Sequence, residues 1–177
     1  MKVISETSRM MHKDFLHNLK LKQSIFEKSY PSLFGKDIKE IDKLKIPYIE
    51  REAYKDLLSQ IYAHELFFSS FCDRSRGSDT VRRIYGSDAS FLYELLNRCM
   101  EVDHGFLLIY RKGDGIGVYA GCKLVNIFMI YDVCLAVDLC EHAYVFDYGF
   151  DKKSYLKAVL SSLDLSKIEN VVEKKKK

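Results

Sequence analysis

Apolar residues in the first third of the chain recur at helical spacing. Between residues 5 and 30 they fall at Phe15, Leu16, Leu19, Ile25 and Phe26 in an otherwise polar stretch, the pattern of a helix that buries one face. Ser5 or Thr7 supplies an N-cap, and Pro31 stops the helix. After a connector containing Gly35 and Pro47, residues 50–71 set Tyr54, Leu57, Leu58, Ile61 and Phe68 on a second helical face. The front of the chain therefore reads as a helical hairpin.

Asp, Arg, Ser and Gly concentrate over residues 73–79, which predicts a flexible crossing and a boundary. A third helix is predicted over 88–99. Beyond His104 and Gly105 the pattern favours strands: 106–110, a turn at 112–115, and 116–120 read as a β-hairpin. Residues 124–130 and 133–137 read as further strands, and 154–163 as a closing helix. The predicted fold class is α+β: an N-terminal α-helical hairpin (residues 1–75), then an α+β domain with a small antiparallel sheet (76–171), then a lysine-rich tail (172–177). There is no internal repeat.

Composition narrows the class. The chain has 177 residues, 47% hydrophobic and 30% charged, enough for one domain or two small lobes sharing an interface. The net charge of +3 comes partly from Lys174 to Lys177, a solvated run, so neither nucleic acid nor a membrane is expected as a partner. Residues 1–11 lack an apolar core of signal length, and no apolar run reaches the ~18 residues of a membrane span. The longest such run, 124–137, is broken by Asn126 and Asp132 and reads as buried strand. Five cysteines, odd in number and without a C-x-x-C pair, point to a reducing compartment, free and mostly buried thiols, and a cytoplasmic protein.

The chemistry lies in the five histidines. His64 follows Gln60 by one helical turn, and Asp138 ends the apolar run, with Glu141 and His142 just beyond it. Imidazole nitrogens with a carboxylate oxygen suit iron, manganese or zinc, while the lack of clustered thiols argues against structural zinc. Singly, each residue has an ordinary reading: a packed or surface histidine, a turn aspartate. The run D-L-C-E-H-A-Y does not, because two carboxylates and an imidazole beside an apolar strand are costly to bury unless paired or metal-bound.

Asp138-Leu139-Cys140-Glu141-His142-Ala143-Tyr144 resembles the D-x-W-E-H-A-Y signature of iron/manganese superoxide dismutases, and Asp147-Tyr148 with Tyr155-Leu156-Lys157 continue that family's ending. Tyr85-Gly86-Ser87 with Phe91, and Gly105-Phe106, are similar to its third helix and sheet opening. Gln60 to His64, followed by Phe67 and Phe68, resembles the second helix that carries one ligand. Ser5 to His12 has the spacing of the family's first ligand, and Gly35-Lys36-Asp37-Ile38-Lys39-Glu40-Ile41 resembles its G-K-x-L-E-E-I stretch at the expected distance. His17 is the alternative first ligand if the helix is shifted.

The resemblance implies one iron or manganese ion per chain, iron favoured, held between two lobes by His12, His64, Asp138 and His142, with solvent as a fifth ligand. It implies disproportionation of superoxide to dioxygen and hydrogen peroxide. Gln60 would hydrogen-bond the bound solvent and tune the metal, and Glu141 would bridge to the partner's ligand histidine in an isologous homodimer. Leu16, Lys20, Phe106, Cys140 and Val145 depart from the family pattern at positions that shape the substrate funnel and outer sphere. A non-catalytic metal-binding member is therefore the alternative, and an interaction protein with coincidental histidines a third.

Overall fold

The computed structural model describes residues 4–72 and 76–169. The expected crossing lies partly, and the lysine-rich tail wholly, outside the described residues. Helix α1 (Glu6–Ser29) is capped by Ser5, whose hydroxyl accepts from the Ser8 N–H at 3.2 Å, with Glu6 in the first turn where the helix dipole favours an acid. Helix α2 (Tyr48–Ser69) begins directly after Pro47 and packs antiparallel to α1. In the connector, Asp37 and Glu40 form a reciprocal capping box that seats Ile38 and Ile41 in the core.

The apolar stripe of α1 is narrower than its sequence suggests. Leu19 is buried and Leu16 and Phe26 pack on the core, but Ile25 is 63% and Phe15 39% exposed. Two polar residues, Ser8 and His12, occupy buried positions of the same helix instead.

Helix α3 (Asp79–Tyr85) was not anticipated; its seven residues are too few for a period to declare itself. Helix α4 (Asp88–Met100) buries Phe91, Leu95 and Cys99 at one-turn intervals. Strands β1 (Phe106–Lys112), β2 (Gly115–Gly121) and β3 (Asp132–Asp138) form an antiparallel sheet in the order β2-β1-β3. The strand expected over 124–130 is instead a short helix, α5 (Val125–Ile130). The reason is topological: β2 and β3 flank β1 on opposite sides, so the chain must cross the sheet between them. Tertiary context there overrides the β-propensity of Val125 and Ile127. A four-residue helix, α6 (Val145–Tyr148), follows, and α7 (Lys152–Ser161) closes the fold against α4.

The core is continuous from the hairpin into the sheet, because α2 packs on β3. Ser70, capping α2, locks that contact: its hydroxyl accepts from the Ala136 N–H at 2.9 Å, and its carbonyl from the Asp164 N–H at 2.9 Å. Cys99 and Cys134 are buried, Cys72 and Cys140 half-buried, and Cys122 exposed. Among the described residues no helix is long and apolar enough to cross a membrane.

Candidate metal centre

Asp138 ends β3, opposite Phe106 of β1 in the strand register, and is fully buried. A buried carboxylate must be satisfied on every side. Its backbone carbonyl accepts from the Tyr155 hydroxyl at 2.8 Å, and its Oδ1 from the Cys140 N–H at 2.9 Å. The remaining oxygen, Oδ2, faces three imidazoles. His12 Nε2 of α1 and His142 Nε2 each lie 2.9 Å away, and His64 Nε2 of α2 lies 3.6 Å away. His142 sits in a 3-10 turn, Glu141–Ala143, that the chain makes directly after the strand.

These contacts fit a cation better than they fit each other. His64 Nδ1 is 2.7 Å from the Gln60 carbonyl and donates to it, which leaves the Nε2 lone pair facing Asp138. His12 Nε2 hydrogen-bonds Asp138 Oδ2, whereas His64 Nε2 and His142 Nε2 have no hydrogen-bond partner. Lone pairs turned toward a carboxylate in a dry pocket repel unless a positive charge lies between them. Donors bound at about 2.1 Å stand about 3.0 Å apart at right angles and about 3.6 Å apart at 120°, which is the spread found around Oδ2. The donor atoms of His12, Asp138 and His142 all lie within 4.8 Å of one another.

Electrostatics follow the same geometry. Burial alone would raise the Asp138 pKa, but His12 and His142 outweigh it and hold the carboxyl well below its ordinary range. Burial lowers the His64 pKa despite Asp138, keeping the neutral, ligating form. At His142 burial acts in the same direction, but Asp138 prevails and raises the pKa. Burial pushes the Cys140 thiol up to about 12, so it is a packed group rather than a nucleophile.

Phenylalanine rings wall the imidazoles. Phe67 stacks on His12 with centroids 4.7 Å apart, Phe106 meets His64 edge-on at 4.9 Å, and Phe15 lies against His142 at 4.8 Å and His64 at 5.0 Å. The roles of Phe15 and Tyr155 were not anticipated. Phe15 follows His12 by three residues and so shares its helical face, a signal present in the spacing.

The structure thus brings the donors of His12, Asp138 and His142 into one cluster, with His64 Nε2 3.6 Å from Asp138 Oδ2 but outside the 4.8 Å set; His17 is exposed and apart from them. Gln60 contributes its carbonyl, while its amide donates to Asp56 Oδ2 at 2.9 Å. Glu141 is exposed beside His142. Lys20, half exposed, pairs with Glu65 at 2.6 Å. Residues 76–171, more than half of the chain, match the family described as iron/manganese superoxide dismutases, C-terminal domain. The chain belongs to the iron/manganese superoxide dismutase family. No curated protein matches it.

The match to superoxide dismutases covers Asp138, Glu141 and His142; His12 and His64 lie before it. What links them to the superoxide dismutase segment is their convergence on Asp138 Oδ2. Iron or manganese is the metal that family membership implies, and a mixed imidazole and carboxylate set is chemically suited to either.

Proposed function

We propose that the protein is a superoxide dismutase holding one iron or manganese ion through His12, His64, Asp138 and His142. The observation that carries this reading is the approach of three imidazole nitrogens to one buried carboxylate oxygen, at 2.9, 2.9 and 3.6 Å. A redox-cycling ion bound there would pass one electron at a time, so that two superoxide ions and two protons yield dioxygen and hydrogen peroxide. The chain's own residues do the rest. Asp138 supplies the negative charge, Tyr155 and the Cys140 N–H hold it in place, and the Gln60 carbonyl fixes the His64 tautomer. Phe15, Phe67 and Phe106 keep the surroundings apolar, which strengthens every charge interaction inside.

In this reading the hairpin (1–75) and the α+β part (76–171) are two domains stapled by the ion, and the compartment is the cytoplasm. Glu141 bridges to the partner's His142 in a homodimer; the Gln60 amide, tied to Asp56, does not reach toward the ion, so the residue gives no preference for iron over manganese. A second reading, a member that binds metal without turnover, is favoured by Lys20. The lysine stands where the family places its gateway tyrosine, and its ammonium is tied to Glu65.

His12→Ala separates these. In the enzyme reading, wild-type protein loaded with iron or manganese consumes superoxide and the variant loses both metal and turnover. Metal-loaded wild type without turnover would support the second reading, and a variant that keeps full metal and turnover would remove His12 from the site.

A further inference from the structure

The four donors are unequally sheltered. His12 and Asp138 are fully buried and His64 is 2% exposed, whereas the His142 side chain is 27% exposed. His142 is therefore the most accessible of the four, and Phe15 lies against it. Its ring stacks on His142 with planes 20° apart, and also lies against His64 with planes 32° apart. These two imidazoles come from different parts of the chain, one from α2 and one from the turn after β3, and are nearly parallel with centroids 6.0 Å apart. One ring on α1 thus covers both. Phe15 is 39% exposed, so part of it faces solvent.

We propose that Phe15 is the gate of the metal centre, a residue that sets how fast ions and small anions reach and leave the donors. This rests on the metal-binding reading above. The ring excludes water while it lies flat on the imidazoles, and turning about its side-chain bonds uncovers His142 and His64 without moving α1. Exposed side chains change rotamer on the picosecond to nanosecond scale, so the passage opens at the cost of two ring contacts and no backbone change. A bulky aromatic gate with no hydroxyl or charge also discriminates by size: it delays a hydrated ion more than a diatomic anion.

The test uses the full chain loaded with manganese(II). Release into excess EDTA is followed by the manganese left on the protein after rapid desalting, and azide binding is followed on iron(III)-loaded protein by its charge-transfer absorption. Phe15→Ala retains helix propensity, and the gate predicts release about tenfold faster than wild type, equivalent to about 1.4 kcal/mol in the barrier, with faster azide entry. Phe15→Trp should release no faster than wild type. Phe15→Leu, which keeps bulk but not the flat ring, should fall between, and it preserves the test if the alanine variant folds poorly. Equal release and azide rates in all variants, with metal bound, would overturn the gate alone. Failure of every protein, wild type included, to bind manganese would overturn the metal-binding reading and the gate with it. A lower melting temperature with unchanged release would mark Phe15 as a packing residue only.

Discussion

At the scale of single residues, the centre depends on how Asp138 is held. Its carbonyl is fixed by Tyr155, which is fully buried and whose own pKa burial drives well above the ordinary value, so this hydroxyl is a donor at every accessible pH. Tyr155→Phe leaves a buried carbonyl unpaired and should cost about 1–3 kcal/mol of stability, read from denaturant midpoints, while His12, His64, Asp138 and His142 remain. A loss of metal out of proportion to the loss of stability would mean that the hydroxyl also orients the carboxylate. Asp138 and His142 stand out as candidates in the sequence because they lie in one short motif, whereas His12 and His64 are pointed to only by the family resemblance. Phe15 and Phe67 were not singled out for the site, since an aromatic residue on a helical face looks the same whether it packs on leucine or on imidazole.

Among the elements, the hairpin, α4 and the β1-β2 hairpin were readable from periodicity and turn residues, whereas α3 and α5 were not. The six residues of α5 are set by the need to cross the sheet, and α3 depends on a distant partner. Glu169 accepts from the Thr80 N–H at 2.9 Å and the Thr80 hydroxyl at 2.8 Å, and it also bonds Ser78, the N-cap of α3. Burial would raise its pKa, but these bonds outweigh it and hold the carboxyl below its ordinary value. Because the folded pKa is depressed, the stability it contributes is present above the unfolded value of about 4.3 and is lost as pH falls through the folded one. Glu169→Gln should therefore flatten part of the acid limb of a stability–pH profile below about pH 4.5; an unchanged limb would remove Glu169 from the helix's support.

Gly105 is the most constrained point between elements. It has φ +111, and an added Cβ would lie 2.3 Å from the Gly121 carbonyl oxygen. Its carbonyl also accepts from the Leu139 N–H at 2.9 Å, beside Asp138. Gly105→Ala should cost at least the ~1–3 kcal/mol of a strained backbone and shift Phe106 and Asp138 relative to each other. A variant with wild-type melting temperature would show that the β1-β2 closure is not rigid.

For the whole molecule, the fold class was legible and the joining of its two halves was not. The start of helix α1 and α6, which follows the turn bearing His142, are joined by a contact that no local pattern encodes: Asp147 Oδ2 accepts from the Ser5 N–H at 2.7 Å across 142 positions of sequence. Exposed Glu141, Phe146 and Phe150 lie close in sequence to the partly exposed His142, which is the surface the proposed homodimer would cover. Sedimentation should find a dimer for the wild type and a shift toward monomer for Glu141→Ala, with weaker metal retention; a wild-type monomer would contradict the bridge.

The measurement closest to the central claim is the metal content of freshly purified protein, paired with superoxide consumption by the same sample. The account predicts about one iron or manganese ion per chain, four protein donors per ion, and turnover. Protein that takes up neither metal, even after reloading, would contradict it.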